Sequence, residues 1–150
     1  MSNLVTVFKK EKENFLLCLG LKYNEFKCKC NNKRCRYTVI SNKFLEKYSH
    51  FREDLDLPVL VTSGFRCQVH NEKVGGVENS FHTMGFAIDV KPMEKMKGKY
   101  LQKYFNQKHD KEPTEVNSDF EAIKYFAEKN GLHVIQYESF LHLDNRQDFL

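Results

Sequence analysis

Residues 58–92 read PVLVTSGFRCQVHNEKVGGVENSFHTMGFAIDVKP, and this stretch decides the fold. It opens on the apolar run Val59-Leu60-Val61, bounded by a proline, the pattern of a short buried strand. A loop rich in Gly, Asn and Ser follows and presents Arg66, Ser80 and His82. The stretch closes on Phe86-Ala87-Ile88-Asp89-Val90, a second strand carrying a carboxylate among apolar residues. A carboxylate in a core either finds a partner or protonates, because an unpaired buried charge costs several kcal/mol. His82, seven residues earlier, is the nearest partner, and a metal ion would satisfy both.

Spacing constrains how the two could meet. In an extended chain they would lie about 23 Å apart. On one continuous helix they would share a side but stand about 10.5 Å apart. Gly85 disfavours that helix and allows a tight turn, so a His on the incoming loop and an Asp on the outgoing strand can converge. On the strand, Ala87 and Asp89 share one face and Phe86, Ile88 and Val90 the other. A catalytic zinc takes three protein ligands, so a third must come from elsewhere. His142, in Phe140-Leu141-His142-Leu143-Asp144, is the best candidate, with Asp144 on the same strand face about 6.6 Å further along. A helix cap or a loop-bracing hydrogen bond is the competing reading of His82 and Asp89.

Working outward, Ser41 is suited to cap a helix over 42–55, with Phe44, Leu45, Tyr48, Phe51 and Leu55 at helical spacing. Pro58 bars its continuation. Residues 2–18 fit either an amphipathic helix or a strand. Tyr23–Phe26 leads into a polar, turn-prone loop around Cys28, Cys30 and Cys35. A helix is expected over about 94–107, a loop around Pro113, and a second helix from Asp119 to Asn130, capped by Ser118 or Asn117 and stopped by Gly131. Two strands, Leu132–Gln136 and Phe140–Asp144, end the chain. The order of elements predicts an α+β fold with a small, mainly antiparallel sheet flanked by helices.

At 150 residues the chain suits a single domain over 1–150. Apolar residues are 41% and charged residues 29%, which excludes a disordered chain. Thirteen Phe and seven Tyr with no Trp predict an aromatic core. The net charge of +4 is mild and scattered; it suits an anionic polymer such as a cell wall or nucleic acid, but a solvated Lys/Glu surface is the commoner reading, and no nucleic-acid partner is expected. No segment approaches the length of a membrane helix, and the N-terminus lacks the layout of a signal peptide. A cytoplasmic protein on synthesis, monomeric and without a membrane partner, is therefore expected. Five Cys without a secretion signal point to reduced thiols or metal ligands. Cys28-x-Cys30-x4-Cys35, with Cys67 beside Arg66, fits either a four-thiolate structural zinc site or reduced cysteines packed together, the simpler reading.

These motifs carry a resemblance. Ser63-Gly64-Phe65-Arg66-Cys67, His70-Asn71, Gly75-Gly76, Asn79-Ser80 and His82-x-x-Gly85-x-Ala87-x-Asp89 closely resemble the zinc D-alanyl-D-alanine carboxypeptidase and L-alanyl-D-glutamate endopeptidase family, in its small phage-associated branch. His142-Leu143-Asp144 resembles that branch's closing His-x-Asp motif, and Glu25-Phe26-x-Cys28 its start. The match covers roughly 23–90 and 131–146. The resemblance implies the fold shared with the Hedgehog signalling domain and a zinc ion held by His82, Asp89 and His142. It implies that Arg66 binds a substrate carbonyl or carboxylate and stabilises the oxyanion, and that Ser80 contacts substrate. The implied activity is hydrolysis of an amide bond in peptidoglycan stem peptides, by an enzyme that reaches the wall on release, as an endolysin does, or as a virion component.

One position departs from the family. Carboxypeptidase-type members place a catalytic Asp or Glu three residues before the last zinc His, and Ser139 stands there. Asp144, two residues after, is favoured as the general base, with a ligand-orienting role as its alternative. Glu138 is the other candidate, about 13 Å from His142 in an extended strand unless a bulge turns it inward. The missing carboxylate keeps open a rival of another class, a catalytically impaired zinc-containing wall-binding module.

Overall fold

The computed structural model describes residues 4–107 and 116–149. The loop expected around Pro113 lies outside these residues. Strand β5 (Val59–Ser63) is followed by helices α3 (Gln68–Lys73) and α4 (Phe81–Met84), then strand β6 (Ala87–Pro92). The segment read as a loop thus contains two short helices, with Cys67 and Ser80 as their caps. The last two strands are β7 (His133–Gln136) and β8 (Leu141–Asp144). Together these form a four-stranded sheet, ordered β5-β6-β8-β7, in which every pairing is antiparallel.

Register gives the sheet two unlike faces. Asp89 pairs with His142, which pairs with Ile135; Ala87 pairs with Asp144, which pairs with His133. Directly opposed residues share a face, so these two rows lie on one side. Ile88, Leu143 and Val134 form a row on the other, buried side. That apolar side is covered by α6 (Asp119–Lys129), which packs on β6, β7 and β8 through buried Ala122, Ile123, Phe126 and Ala127. Against α6 lies α2 (Asn42–Leu55), which buries Phe44, Tyr48, Phe51 and Leu55 at intervals of three or four. Phe44–Tyr48 and Tyr48–Phe51 make ring contacts at 5.9 and 5.6 Å, so the core is aromatic, as the composition led us to expect.

Residues 2 and 3 lie outside the described residues; from residue 4 to 18 the ambiguity resolves into two short strands and no helix. Strand β1 (Val5–Lys9) pairs antiparallel with β4 (Tyr37–Ser41), and β2 (Leu16–Cys18) with β3 (Leu21–Lys22), which runs into the one-turn helix α1 (Tyr23–Phe26). The helix expected over 94–107 is broken: a 3₁₀ turn at Glu94–Met96 precedes α5 (Lys99–Asn106), with Gly98 between them at φ +82°. The physical reason is capping from afar. Asp119 accepts from Gly98 N at 2.7 Å and from Leu101 N at 3.0 Å, so the start of α5 is set by the helix that follows it. Ser118 is the cap of α6, accepting from Glu121 N at 3.2 Å.

Gly85 makes the turn that the sequence requires of it. It sits at φ +80° as the left-handed C-terminal residue of α4, and Ser41 N donates to its carbonyl at 2.9 Å. A Cβ here would strike the backbone of Val39 and Ile40. Gly85→Ala therefore combines left-handed strain with a backbone clash, and about 2–4 kcal/mol of destabilisation is expected, measured as a fall in the urea midpoint. An unchanged midpoint would show that the turn does not need glycine.

Candidate metal centre

Three elements deliver the polar cluster at one end of the sheet's open face. His82 comes from α4, Asp89 from the middle of β6, and His142 from the neighbouring strand β8. Asp89 Oδ1 lies 3.0 Å from His82 Nε2 and 3.1 Å from His142 Nδ1. One ligand atom from each of the three falls within 4.8 Å of the others. His82 and Asp89 are 2% and 3% exposed, and the His142 side chain 12%. The turn at Gly85 brings a helix-borne His onto the strand-borne Asp, and β6–β8 pairing places the third residue beside it.

The outer nitrogens decide what the inner ones can do. His82 Nδ1 is 2.7 Å from the Gly64 carbonyl oxygen, and His142 Nε2 is 2.8 Å from Asp144 Oδ2. Both partners only accept, so the ring protons belong on these outer nitrogens. That leaves His82 Nε2, His142 Nδ1 and Asp89 Oδ1 as three lone pairs aimed at one point. Three converging acceptors with no proton between them repel unless a cation sits among them. The set of two imidazoles and one carboxylate, each His braced by an acceptor behind it, fits zinc with a coordination position left for water.

Asp144 is fully buried and both its oxygens are engaged. Oδ1 accepts from Arg146 N at 2.9 Å and Nε at 3.0 Å; Oδ2 faces His142 and accepts from Arg146 Nη2 at 2.7 Å. Burial alone would raise its pKa, but His142 and Arg146 hold the carboxyl below the ordinary carboxylate range. Burial likewise opposes ionisation of Asp89, and its polar contacts with His142 and His82 outweigh it, bringing the group to about 2. Both carboxylates are therefore anions at neutral pH.

Arg66 follows the bulge in β5 between Val61 and Ser63. Its guanidinium donates to Ser63 Oγ at 3.0 Å, Asn71 Oδ1 at 3.2 Å and Asp89 Oδ2 at 3.1 Å. Gly64 is required beside it, because a Cβ would overlap the Phe26 backbone, whose carbonyl accepts from Phe65 N at 2.7 Å. Ser80 caps α4 by accepting from His82 N at 3.2 Å and is itself 6% exposed.

A cavity of about 450 Å³ opens over the cluster. Its floor includes His82, Asp89 and His142, with Arg66 and Ser80 on the wall. Val74 and Val77 line it on the side of the loop after α3, Tyr137 and Phe140 on the β7–β8 hairpin, where their rings stack at 4.7 Å. Tyr137 N donates to the Phe140 carbonyl at 2.9 Å, which leaves Glu138 and Ser139 as the exposed tip of that hairpin. The structure brings Arg66, Ser80, His82, Asp89 and His142 together, with Asp144 behind His142; Glu138 is not among the lining residues. Among the described residues Asp89 is the lone acidic group on the cavity wall.

Sequence reasoning passed over Arg146 and quoted Asn71 only within the His70-Asn71 motif, without a role. Arg146 lines the cavity, grips Asp144 and stacks 5.0 Å from the Phe81 ring. Asn71 positions Arg66 and donates to the Val77 carbonyl at 2.9 Å. Their partners are near in sequence, Asp144 two residues from Arg146 and Arg66 five from Asn71, but side-chain contacts at these spacings leave no recognisable pattern. For Asp144→Asn, zinc affinity is expected to fall by about 10–100-fold, read by competition with a chromogenic chelator. Unchanged affinity would show that the Asp144–His142 contact does not support metal binding.

No curated protein and no solved structure matches the chain significantly. The sequence model of one family, described as Peptidase M15, matches residues 20–144, a span that holds every residue of the cluster and both of its braces. The chain belongs to that family of zinc-dependent metallopeptidases.

Proposed function

We propose that the protein hydrolyses an amide bond in the stem peptides of peptidoglycan, as a D-Ala-D-Ala carboxypeptidase or an L-Ala-D-Glu endopeptidase. The observation that carries this is the convergence of His82 Nε2, Asp89 Oδ1 and His142 Nδ1 on the floor of a cavity walled by Arg66. The cavity, at about 450 Å³, falls within the size range of small-ligand sites. Bound zinc supplies Lewis acidity, which acidifies water and polarises a carbonyl. The residues themselves hold, orient and bind. Gly64 and Asp144 keep the two imidazoles in the tautomers that point lone pairs inward. Arg66, held on three acceptors, offers cationic donors to the substrate's carbonyl oxygen or carboxylate. Ser80 contacts the peptide from the wall, and the Val74/Val77 and Tyr137/Phe140 walls flank it.

Asp144 acts through His142 in this reading and is a positioning residue. The proton acceptor in this reading is Glu138, one residue from where the resembled family keeps its catalytic carboxylate, and the role requires the exposed hairpin tip at Glu138–Ser139 to turn inward over the cavity. Ser139 at the family's usual position favours a second reading, a zinc-containing module that binds wall fragments without cutting them. Turnover separates the two.

Digestion of purified peptidoglycan, followed by mass spectrometry, is expected to release D-Ala or to create new amino termini. A chelator should abolish this and added zinc restore it, and His82→Ala should lower the rate by at least about 10²-fold. Cleavage indifferent to both would sink the peptidase reading, and retention of wall fragments without products would establish the module. Arg66→Lys should lower kcat by about 10²-fold with zinc content intact, because a lysine cannot reproduce the forked contacts. Glu138→Gln should lower kcat similarly and leave zinc affinity unchanged, the opposite of Asp144→Asn.

A further inference from the structure

The loop after α1 has no regular structure from Cys28 to Arg36 apart from a turn at Lys33–Arg34, yet it carries three cysteines that meet a fourth from 32 residues further along. Cys28, Cys30, Cys35 and Cys67 place one sulfur each within 4.8 Å of all the others. All four are free thiols, and Cys28 is buried. Cys30 Sγ and Cys67 Sγ are 3.7 Å apart, too far for a bond between them. That separation matches the edge of a thiolate tetrahedron around zinc, about 3.8 Å for zinc–sulfur distances of about 2.3 Å.

The surroundings have the character expected around thiolates. Lys10 Nζ donates to Cys30 Sγ at 3.1 Å and to the Cys30 carbonyl at 2.8 Å. Cys67 N donates to Cys28 Sγ, and His70 N to Cys67 Sγ, each at 3.4 Å. Four thiolates around a dication leave an excess of negative charge, which an ammonium and backbone N–H groups offset. The sulfurs belong to two chain segments, which also meet where Phe65 N donates to the Phe26 carbonyl at 2.7 Å. Backbone hydrogen bonds within the loop are few, such as Cys35 N to the Asn32 carbonyl at 3.0 Å. A shared ion would staple the loop to the start of α3.

We infer that Cys28, Cys30, Cys35 and Cys67 form a second, structural zinc site, separate from the His82–Asp89–His142 centre. Cys67 adjoins Arg66 and caps α3, so this ion fixes the backbone from which Arg66 reaches the cavity. Each cysteine gives up its thiol proton to solvent as the ion binds, and no oxidation state changes.

The test uses the full chain, purified under reducing conditions and loaded with zinc. Wild type is expected to retain two zinc ions per chain by elemental analysis. A His82→Ala/His142→Ala double variant should lose one and keep the other. Loaded with cobalt instead, that variant should show the thiolate-to-cobalt charge-transfer band and the intense visible absorption of a tetrahedral thiolate site. Cys30→Ser/Cys35→Ser should lose the complementary ion; should it fail to fold, the double-histidine protein still decides. A double-histidine variant that holds no metal, or whose cobalt spectrum lacks thiolate charge transfer, overturns the inference. So does a fully reduced protein that forms a Cys30–Cys67 disulfide on air oxidation but takes up no metal at the cysteines before it. None of these readouts involves hydrolysis, so failure of the peptidase reading would leave the outcome standing.

Discussion

A carboxylate 3% exposed in the middle of a sheet is the constraint on which this architecture rests. Asp89 cannot stay charged there without several compensating partners, and each comes from a different element. His82 arrives from α4, His142 from β8 and Arg66 from the segment after β5. Each partner in turn dictates something about its own surroundings. His82 needs the Gly64 carbonyl, which needs the close approach to Phe26; His142 needs Asp144, which needs Arg146. Removing one member strands the next, so the cluster is held as a unit.

The scaffold divides its labour by sheet face. The α6 side is apolar and supplies the burial that holds the strands together, while the open side carries the row Asp89–His142–Ile135. Because cross-strand neighbours on one face are fixed by register, the ligand geometry is inherited from the pairing of β6 with β8. A slip of one residue would turn His142 into the apolar layer and Leu143 into the cavity. The apolar pattern on the buried side therefore guards the polar geometry on the other.

Much of this was legible before any coordinates. The helix over 42–55, its Ser41 cap and its buried face followed from spacing and capping chemistry, and so did the turn at Gly85. The shared face of His142 and Asp144 followed from strand alternation alone. Some of what could not be read depends on distant segments. Asp119 sets the start of α5 from 18 residues or more away, so Gly98 and its neighbours look like one continuous helix in sequence. Arg146 and Asn71 act on near neighbours, Asp144 and Arg66, yet a polar contact over two or five residues cannot be told in sequence from ordinary solvated side chains. Residues 2–18 resisted assignment because an exposed edge pairing such as β1–β4 leaves only weak alternation.

The wide separation of Asp89 and His142 along the chain, 53 residues, has a consequence for when the cluster comes into being. The first two ligands and Arg66 leave the ribosome together, but β8 cannot take its place in the sheet until α6 and β7 have been made. Pairing of β8 closes a long loop, a late and slow event compared with the forming of local helices. Until then Asp89 lacks a ligand beside it and the cavity lacks the hairpin wall of Tyr137 and Phe140. The ligand set is thus incomplete in a nascent or truncated chain and is assembled only when β8 joins the sheet.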